Sequence, residues 1–240
     1  MPTAAVLIIG DEILTGKFPD ANGPFLIGRL RTLGTDLRRL VVVSDDPDAI
    51  SDEVARCSAA FDHVITTGGV GPTHDDRTMD GVARAFSLPL ELRPELVALL
   101  DRYGLAQTET NLQMATVPAG ADLVLGPGST FPIVRVRNVW VFPGVPKLMQ
   151  VKFESIARHF AAEQVSCVRL YTDQPETDIA SLLASVARAH PTVTIGSYPR
   201  FGEGNYRVIV TLEARDPPAL DQATAALTAG MSLVVPSAVV

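Results

Sequence analysis

Cysteine, histidine and clustered positive charge are all scarce in this 240-residue chain. Each shortage removes a class of function. Cys57 and Cys167 lie far apart, with no Cys-x-x-Cys pair and no histidine nearby in sequence. That excludes a zinc ribbon and a disulfide framework and predicts buried, reduced thiols. His63, His74, His159 and His190 show no ligand spacing, and His74 reads as a solvated loop residue. Lysine and arginine number 20 against 27 acids, the net charge is −7, and no basic cluster occurs, which argues against a duplex-binding surface. No apolar run approaches membrane-spanning length. The apolar start from Ala4 to Ile9 is short and has no basic region before it, so it reads as a first strand and not a signal peptide. No Gly-x-Ser-x-Gly elbow, tandem repeat or low-complexity tract is present. What remains is a cytoplasmic protein of small ligands, with no nucleic acid or membrane partner.

The hydrophobic fraction of 47% is enough for one large α/β domain and a small second one. Strand signals at Ala4 to Ile9, Leu37 to Val43 and His63 to Thr67 alternate with helical ones. Leu26, Leu30 and Leu33 mark one helix, closed by Gly34; Ile50, Val54, Cys57 and Phe61 mark the next. Near-continuous apolar strands in this rhythm predict a mostly parallel sheet covered by helices on both faces, a three-layer α/β/α domain. Further helices are expected from Pro94 to Tyr103 and from Glu109 to Thr116. A hairpin is expected around Arg137 and Asn138, and a long helix after Pro146 carrying Leu148, Val151, Ile156 and Phe160. That domain is expected to span 1–164. From 165 to 240 the order changes to strand, helix, strand, strand, helix, a small α+β unit.

The segment TTGGVGPTHDDRT, from Thr66 to Thr78, combines the end of an apolar strand, a glycine-rich turn and a pair of carboxylates. Gly68, Gly69 and Gly71 permit the positive φ and close backbone approach that turn N–H groups toward an anion. From Thr78 the apolar residues Met79, Val82, Ala83 and Phe86 fall at helical spacing, so the loop opens onto a helix N-terminus that favours phosphate. A plain strand-to-helix turn is the alternative for the glycines alone. In a parallel sheet ligands bind beyond the carboxyl ends of the strands. Gly10, Asp11 and Glu12 follow the first strand there, and Ser44, Asp45 and Asp46 follow the second. Asp46 before Pro47 is a helix N-cap, which leaves Asp45 for a metal or a phosphoryl group. Asp76 has both a capping and a chemical reading. Several carboxylates at an anion site are reconciled by a divalent cation such as Mg²⁺, which takes one or two protein carboxylates plus water and phosphate oxygens. Glu12, Asp45 and Asp76 are the candidate ligands or water-orienting groups, ahead of Asp11 and Asp75, for pyrophosphate cleavage or nucleotidyl transfer. Asp20 and Asn22 read as helix-start residues, and Lys147 as a solvated lysine with phosphate contact as its alternative.

GDEILTGKFPDAN from Gly10, VSDD from Val43 and TTGGVGPTHDDRT from Thr66 resemble three linked motifs of the molybdopterin-binding-like family. That family includes MoaB and MogA, the competence/damage-inducible CinA proteins and the N-terminal part of FAD synthases. The resemblance implies a MogA-like fold. It also implies functional carboxylates at Asp45, Asp76 and Glu12, metal held by Asp45 and Asp76, and a pterin or nucleotide phosphate site formed by Thr67, Gly68, Gly69, Gly71 and Thr73. MATVPAGADL from Met114, FPIVRVRNVWVFPGVPKL from Phe131 and IGSYPRFGEGNYRVIVTLE from Ile195 are most similar to the FAD-synthase type. Val70, where MogA has threonine, points the same way. For this type the resemblance implies Mg²⁺-, Mn²⁺- or Co²⁺-dependent hydrolysis of FAD or ADP-ribose with release of AMP, in a homodimer or homotrimer. A molybdopterin-binding protein of cofactor biosynthesis and a non-catalytic nucleotide-sensing domain are the alternatives. The second unit resembles the KH-like unit of CinA relatives, yet Gly202-Glu203-Gly204 is no basic Gly-x-x-Gly clamp, so a structural or dimerising role is expected. With its end at Val240 the chain has no room for an adenylyltransferase or amidase domain, and neither activity is expected of it.

Overall fold

Alternation along the first strand sets the layers of the larger unit. In β1 (Thr3–Ile9), Ala5, Leu7 and Ile9 point into one core, while Ala4, Val6 and Ile8 point into another on the opposite face. A strand apolar on both faces has to sit inside a sheet covered by helices on both sides. The computed structural model describes residues 1–200 and 204–236, which fall into two compact units, Met1–Ala162 and Glu163–Val240.

In the first unit β1 leads through α1 (Asp11–Leu14) and α2 (Asn22–Leu33) to β2 (Asp36–Val43), then α3 (Pro47–Ala60) and β3 (His63–Thr67). Gly34 closes α2 in the left-handed conformation, and the Asp46 carboxylate accepts the Asp48 N–H at the start of α3. After α4 (Thr78–Ala85) the chain runs through β4 (Leu90–Leu92), α5 (Pro94–Arg102), α6 (Glu109–Gln113), β5 (Thr116–Pro118) and β6 (Asp122–Val124). It then forms β7 (Ile133–Val136), β8 (Val139–Phe142) and α7 (Pro146–Ile156), ending in a 3₁₀ turn, Ala157–Phe160. The main sheet has the order β2-β1-β3-β8-β7-β6. It is parallel from β2 to β8 and antiparallel from β8 to β6. The α/β fold with a mostly parallel central sheet is therefore present.

β1 has β2 on one side and β3 on the other, so the chain leaves it in one direction and returns across it in the other. This order reversal opens a crevice at the carboxyl ends of β1 and β3, where an open parallel sheet takes its ligands. α2 and α7 cover the face with Val6, Ile65 and Trp140, and α3, α4 and α5 cover the face with Leu7, Val64 and Val141.

Three details differ from the sequence expectations. The helix expected to Thr116 stops at Gln113, because Thr116–Pro118 pairs with Leu90–Leu92 and buries Val117. The helix after Pro146 buries Met149, Lys152, Phe153 and Ile156, and it exposes Leu148 and Val151. Cys57 is buried as expected, but Cys167 is exposed on the outer face of a strand.

The second unit is a three-stranded antiparallel sheet, order β10-β11-β9, of β9 (Ser166–Thr172), β10 (Thr194–Pro199) and β11 (Val208–Ala214). Val208, Val210, Leu212 and Ala214 alternate inward from β11 against α8 (Glu176–Ala189) and α9 (Pro217–Gly230). Gly202 and Glu203 lie outside the described residues. Leu7 is fully buried in the central strand, so Leu7→Ala is expected to lower the unfolding free energy of the first unit by about 2–5 kcal/mol. Urea denaturation with an unchanged midpoint would contradict this packing.

Candidate functional site

Four loops meet at the carboxyl rim of the parallel strands, and short backbone contacts lock them together. Gly10 N–H donates to the carbonyl of Val43, and Gly68 N–H to that of Phe142. Gly68 has a φ of 110°, and a Cβ there would stand 2.0 Å from the Ile9 carbonyl oxygen. Only glycine allows the exit of β3 to cross the exit of β1 this closely. Gly69 has a φ of 60°, and a Cβ on it would lie 2.5 Å from the Thr78 hydroxyl. That hydroxyl donates to the Gly68 carbonyl at 2.8 Å, tying the start of α4 back onto the loop.

Asn22 binds the same rim from the opposite face. It is 5% exposed, and its amide donates to Thr67 Oγ1 at 2.9 Å and to the Gly144 carbonyl at 2.7 Å. The Thr67 hydroxyl in turn donates to the carbonyl of Pro143. Thr67 is thus a buried brace between loops and not an open phosphate contact. Asp20 accepts the N–H groups of Asn22 and Gly23, the helix-start role its sequence position suggests. Asn22 does more than start a helix.

The glycine loop continues as a tight turn. The Asp76 carboxylate accepts the Thr73 N–H at 2.8 Å and the Thr73 hydroxyl at 2.5 Å, and Gln113 donates to the backbone carbonyls of both residues. Asp76 holds its own loop and does not cap α4, whose N-cap position is Arg77. Thr73 is exposed and is occupied by Asp76. Among the described residues, no acceptor engages the N–H groups of Gly69, Val70 and Gly71. On the neighbouring loop Asp45 Oδ2 accepts the Asp11 N–H at 2.8 Å. Burial raises the Asp45 carboxyl above its ordinary value, the Asp11 N–H works against this, and the charges of Asp11, Glu12 and Asp75 add to the rise.

Beyond the loop lies a cleft of about 680 Å³. Glu12 and Asp76 bring carboxylates to its lining, and Gly68, Gly69 and Gly71 bring backbone. Met79, Met114, Phe131, Pro132, Val145 and Leu148 supply apolar wall. Asp45, Thr67 and Thr73 are not on its wall, and neither is Lys147, which is exposed. Lys152 is on it. This lysine is 8% exposed, and its ammonium donates to the Phe131 carbonyl at 2.6 Å. Burial alone pushes it from 10.5 down to about 8. Sequence reasoning missed Lys152 because the helical stripe was placed on Leu148 and Val151. The spacing Met149, Phe153, Ile156 puts position 152 on the buried side, and a lysine within such a stripe was the available signal.

A family model described as "Probable molybdopterin binding domain" matches residues 5–163, and one described as "FAD synthase, middle domain" matches 164–237. The chain belongs to the molybdopterin-binding-domain family. A probable FAD synthase of Caenorhabditis briggsae is 35% identical over 254 residues, covering 94% of this chain and 49% of that protein. The chain thus spans about half the length of that relative. A CinA-like protein of Thermosynechococcus vestitus is 33% identical over 89% of this chain and 54% of its own. The crystal structure of a CinA protein of unknown function from Thermoplasma acidophilum aligns with a TM-score of 0.60 at 31% identity, covering 67% of this chain and 99% of that one. Among the described residues, no helix is long and apolar enough to cross a membrane.

Within this molybdopterin-binding-type domain, Lys152 is a charge without a carboxylate partner among the described residues. Between pH 8 and 10.5 the unfolded chain binds more protons at this site than the folded one, so wild-type stability should rise with pH across that window. Lys152→Met is expected to be more stable than wild type at pH 7 by up to about 3 kcal/mol, with the difference closing by pH 10.5. Thermal melts at several pH values read this directly. A variant that melts below wild type at every pH contradicts it.

Proposed function

We propose that the rim binds a dinucleotide through its diphosphate and hydrolyses the pyrophosphate bond, with FAD or ADP-ribose as substrate and AMP as a product. The observation that carries this reading is the convergence of acceptor-free loop N–H groups at Gly69, Val70 and Gly71 with the carboxylates of Glu12 and Asp76 on one cleft. Backbone donors bind diphosphate oxygens without repelling carboxylates, and the apolar wall receives a ring.

Among the described residues no group of three or more His, Cys, Asp or Glu forms a closed metal cage. That does not suit zinc in a structural site. Mg²⁺, Mn²⁺ or Co²⁺ needs only one or two protein carboxylates; Asp76 on the cleft wall would hold such an ion, while Asp45, expected to share it, accepts the Asp11 N–H off that wall. The crowding of Asp45 by Asp11, Glu12 and Asp75 is the electrostatic arrangement that a cation would relieve. When bound, such an ion neutralises charge on the phosphates and acidifies water.

The chain's own residues perform the rest. The loop N–H groups orient the diphosphate. Asp76, fixed by Thr73, and Glu12 orient a water molecule and take its proton as the water oxygen bonds to phosphorus and the bridging P–O bond breaks. The leaving phosphate carries away the electron pair. The same cleft suits the phosphate of a pterin, a reading favoured by the description of the matched family. In that case the ligand binds and no dinucleotide is cleaved.

Metal-stripped protein incubated with FAD or ADP-ribose should release AMP only when Mg²⁺, Mn²⁺ or Co²⁺ is restored. Asp76→Asn keeps an acceptor for Thr73 and should lower that rate by about 10²–10⁴-fold with little change in melting temperature. Full-rate turnover in Asp76→Asn removes the role given to this residue. Ligand binding without AMP release supports the pterin reading instead.

A further inference from the structure

The most costly group in the cleft is Lys152, and nothing in the reaction above uses it. Its ammonium has three N–H donors, of which the Phe131 carbonyl takes one at 2.6 Å. Its Nζ lies 5.1 Å from the Phe131 ring centroid, and the cleft it lines also carries the apolar residues Pro132, Val134, Val141 and Leu148. Tying down one backbone carbonyl needs only a neutral donor. A full charge held in an apolar wall is justified by an acceptor that arrives with a ligand.

We propose that Lys152 selects the ligand's ring, donating from the apolar wall of the cleft to the carbonyl edge of an oxo-substituted heterocycle such as a flavin, while the glycine loop holds the diphosphate. This rests on the reading of the cleft as a dinucleotide site. Two features of the cleft support it: the glycine loop that lines it has acceptor-free N–H groups, and the buried ammonium lies against the Phe131 ring. A flat ring covers the side chains of Met79, Met114 and Phe131 and excludes water from the ammonium, which strengthens the charged hydrogen bond. Adenine and a bare ribose offer no ring carbonyl there. Lys152 therefore favours FAD over ADP-ribose.

Proton linkage gives the contact a signature. The other titratable groups on the cleft are Glu12 and Asp76 from the rim loops and Tyr103, whose hydroxyl contacts Thr130. On α7 itself Glu154 is paired with Arg29, and Lys147 is exposed. Burial brings Lys152 to about 8, so the donor is charged at pH 7 and is lost as the pH rises through 9 unless the ligand holds the proton.

The test uses probes that contain no phosphoanhydride, so its outcome is independent of whether the protein hydrolyses anything. Riboflavin and adenosine are titrated into the full chain, wild type, Lys152→Met and Lys152→Gln, by calorimetry at pH 7, 8 and 9, with inorganic pyrophosphate as a third probe. Wild type should bind riboflavin in preference to adenosine. Both variants should lower the riboflavin-to-adenosine affinity ratio by about tenfold or more. Riboflavin affinity should decline from pH 7 to 9 in wild type and stay level in Lys152→Met. Equal weakening of riboflavin and adenosine would assign Lys152 a structural role and overturn the proposal. Weakening confined to pyrophosphate would make it a phosphate contact and overturn it too, as would a wild type that does not bind riboflavin. Failure to hydrolyse FAD, with these ratios as expected, would remove the reaction and leave the ring contact standing.

Discussion

The approach of Gly68 to the carbonyl of Ile9 is the constraint on which the rest of the rim depends. A Cβ at Gly68 would stand 2.0 Å from that oxygen. Because no side chain is present, the turn after β3 lies directly across the end of β1, and the loops after β2 and β8 close in from either side through the Gly10–Val43 and Gly68–Phe142 hydrogen bonds. The reversal of strand order puts a crevice at this point, and the glycine makes its floor out of backbone. Asn22 and Thr67 then tie the β3 and β8 loops together from the α2 side.

Charge is distributed unevenly around that floor. One side gathers Asp11, Glu12, Asp45 and Asp75 closely enough for their charges to bear on Asp45. The cleft wall carries a single buried ammonium at Lys152. Both arrangements are unfavourable in the free protein, through like-charge repulsion in the first case and desolvation in the second. In the proposed function a cation relieves the first and a ring carbonyl the second. Local strain and uncompensated charge of this kind are what a binding site retains against the stability of the fold.

Much of this was legible in the sequence, for physical reasons that stop at identifiable residues. β1 is apolar on both faces and helices separate it from β2 and β3, so its burial and parallel pairing follow from the pattern of the sequence. Asp46 before Pro47 announced its N-cap, and the glycines after β3 announced the turn. Leu90–Leu92 and Thr116–Pro118 are too short to show a period, and they exist only because they pair with each other. The bridge from Asn22 to Thr67 and Gly144 joins residues far apart in sequence, so nothing local marks it. Lys152 was hidden by a stripe drawn one position off along the helix. Asp45 and Asp76, alike in sequence, differ in space: Asp76 lines the cleft, and Asp45 is off its wall and accepts the Asp11 N–H.

The proposed function depends on a diphosphate seated on the turn after β3. A crystal structure of the protein with Mg²⁺ and a methylene-bridged, uncleavable FAD analogue tests that most directly. Diphosphonate oxygens are expected within hydrogen-bonding distance of the N–H groups of Gly69, Val70 and Gly71, with Glu12 and Asp76 facing the phosphorus atoms. An analogue bound with its diphosphonate away from this loop, or no binding at millimolar concentration, would contradict it.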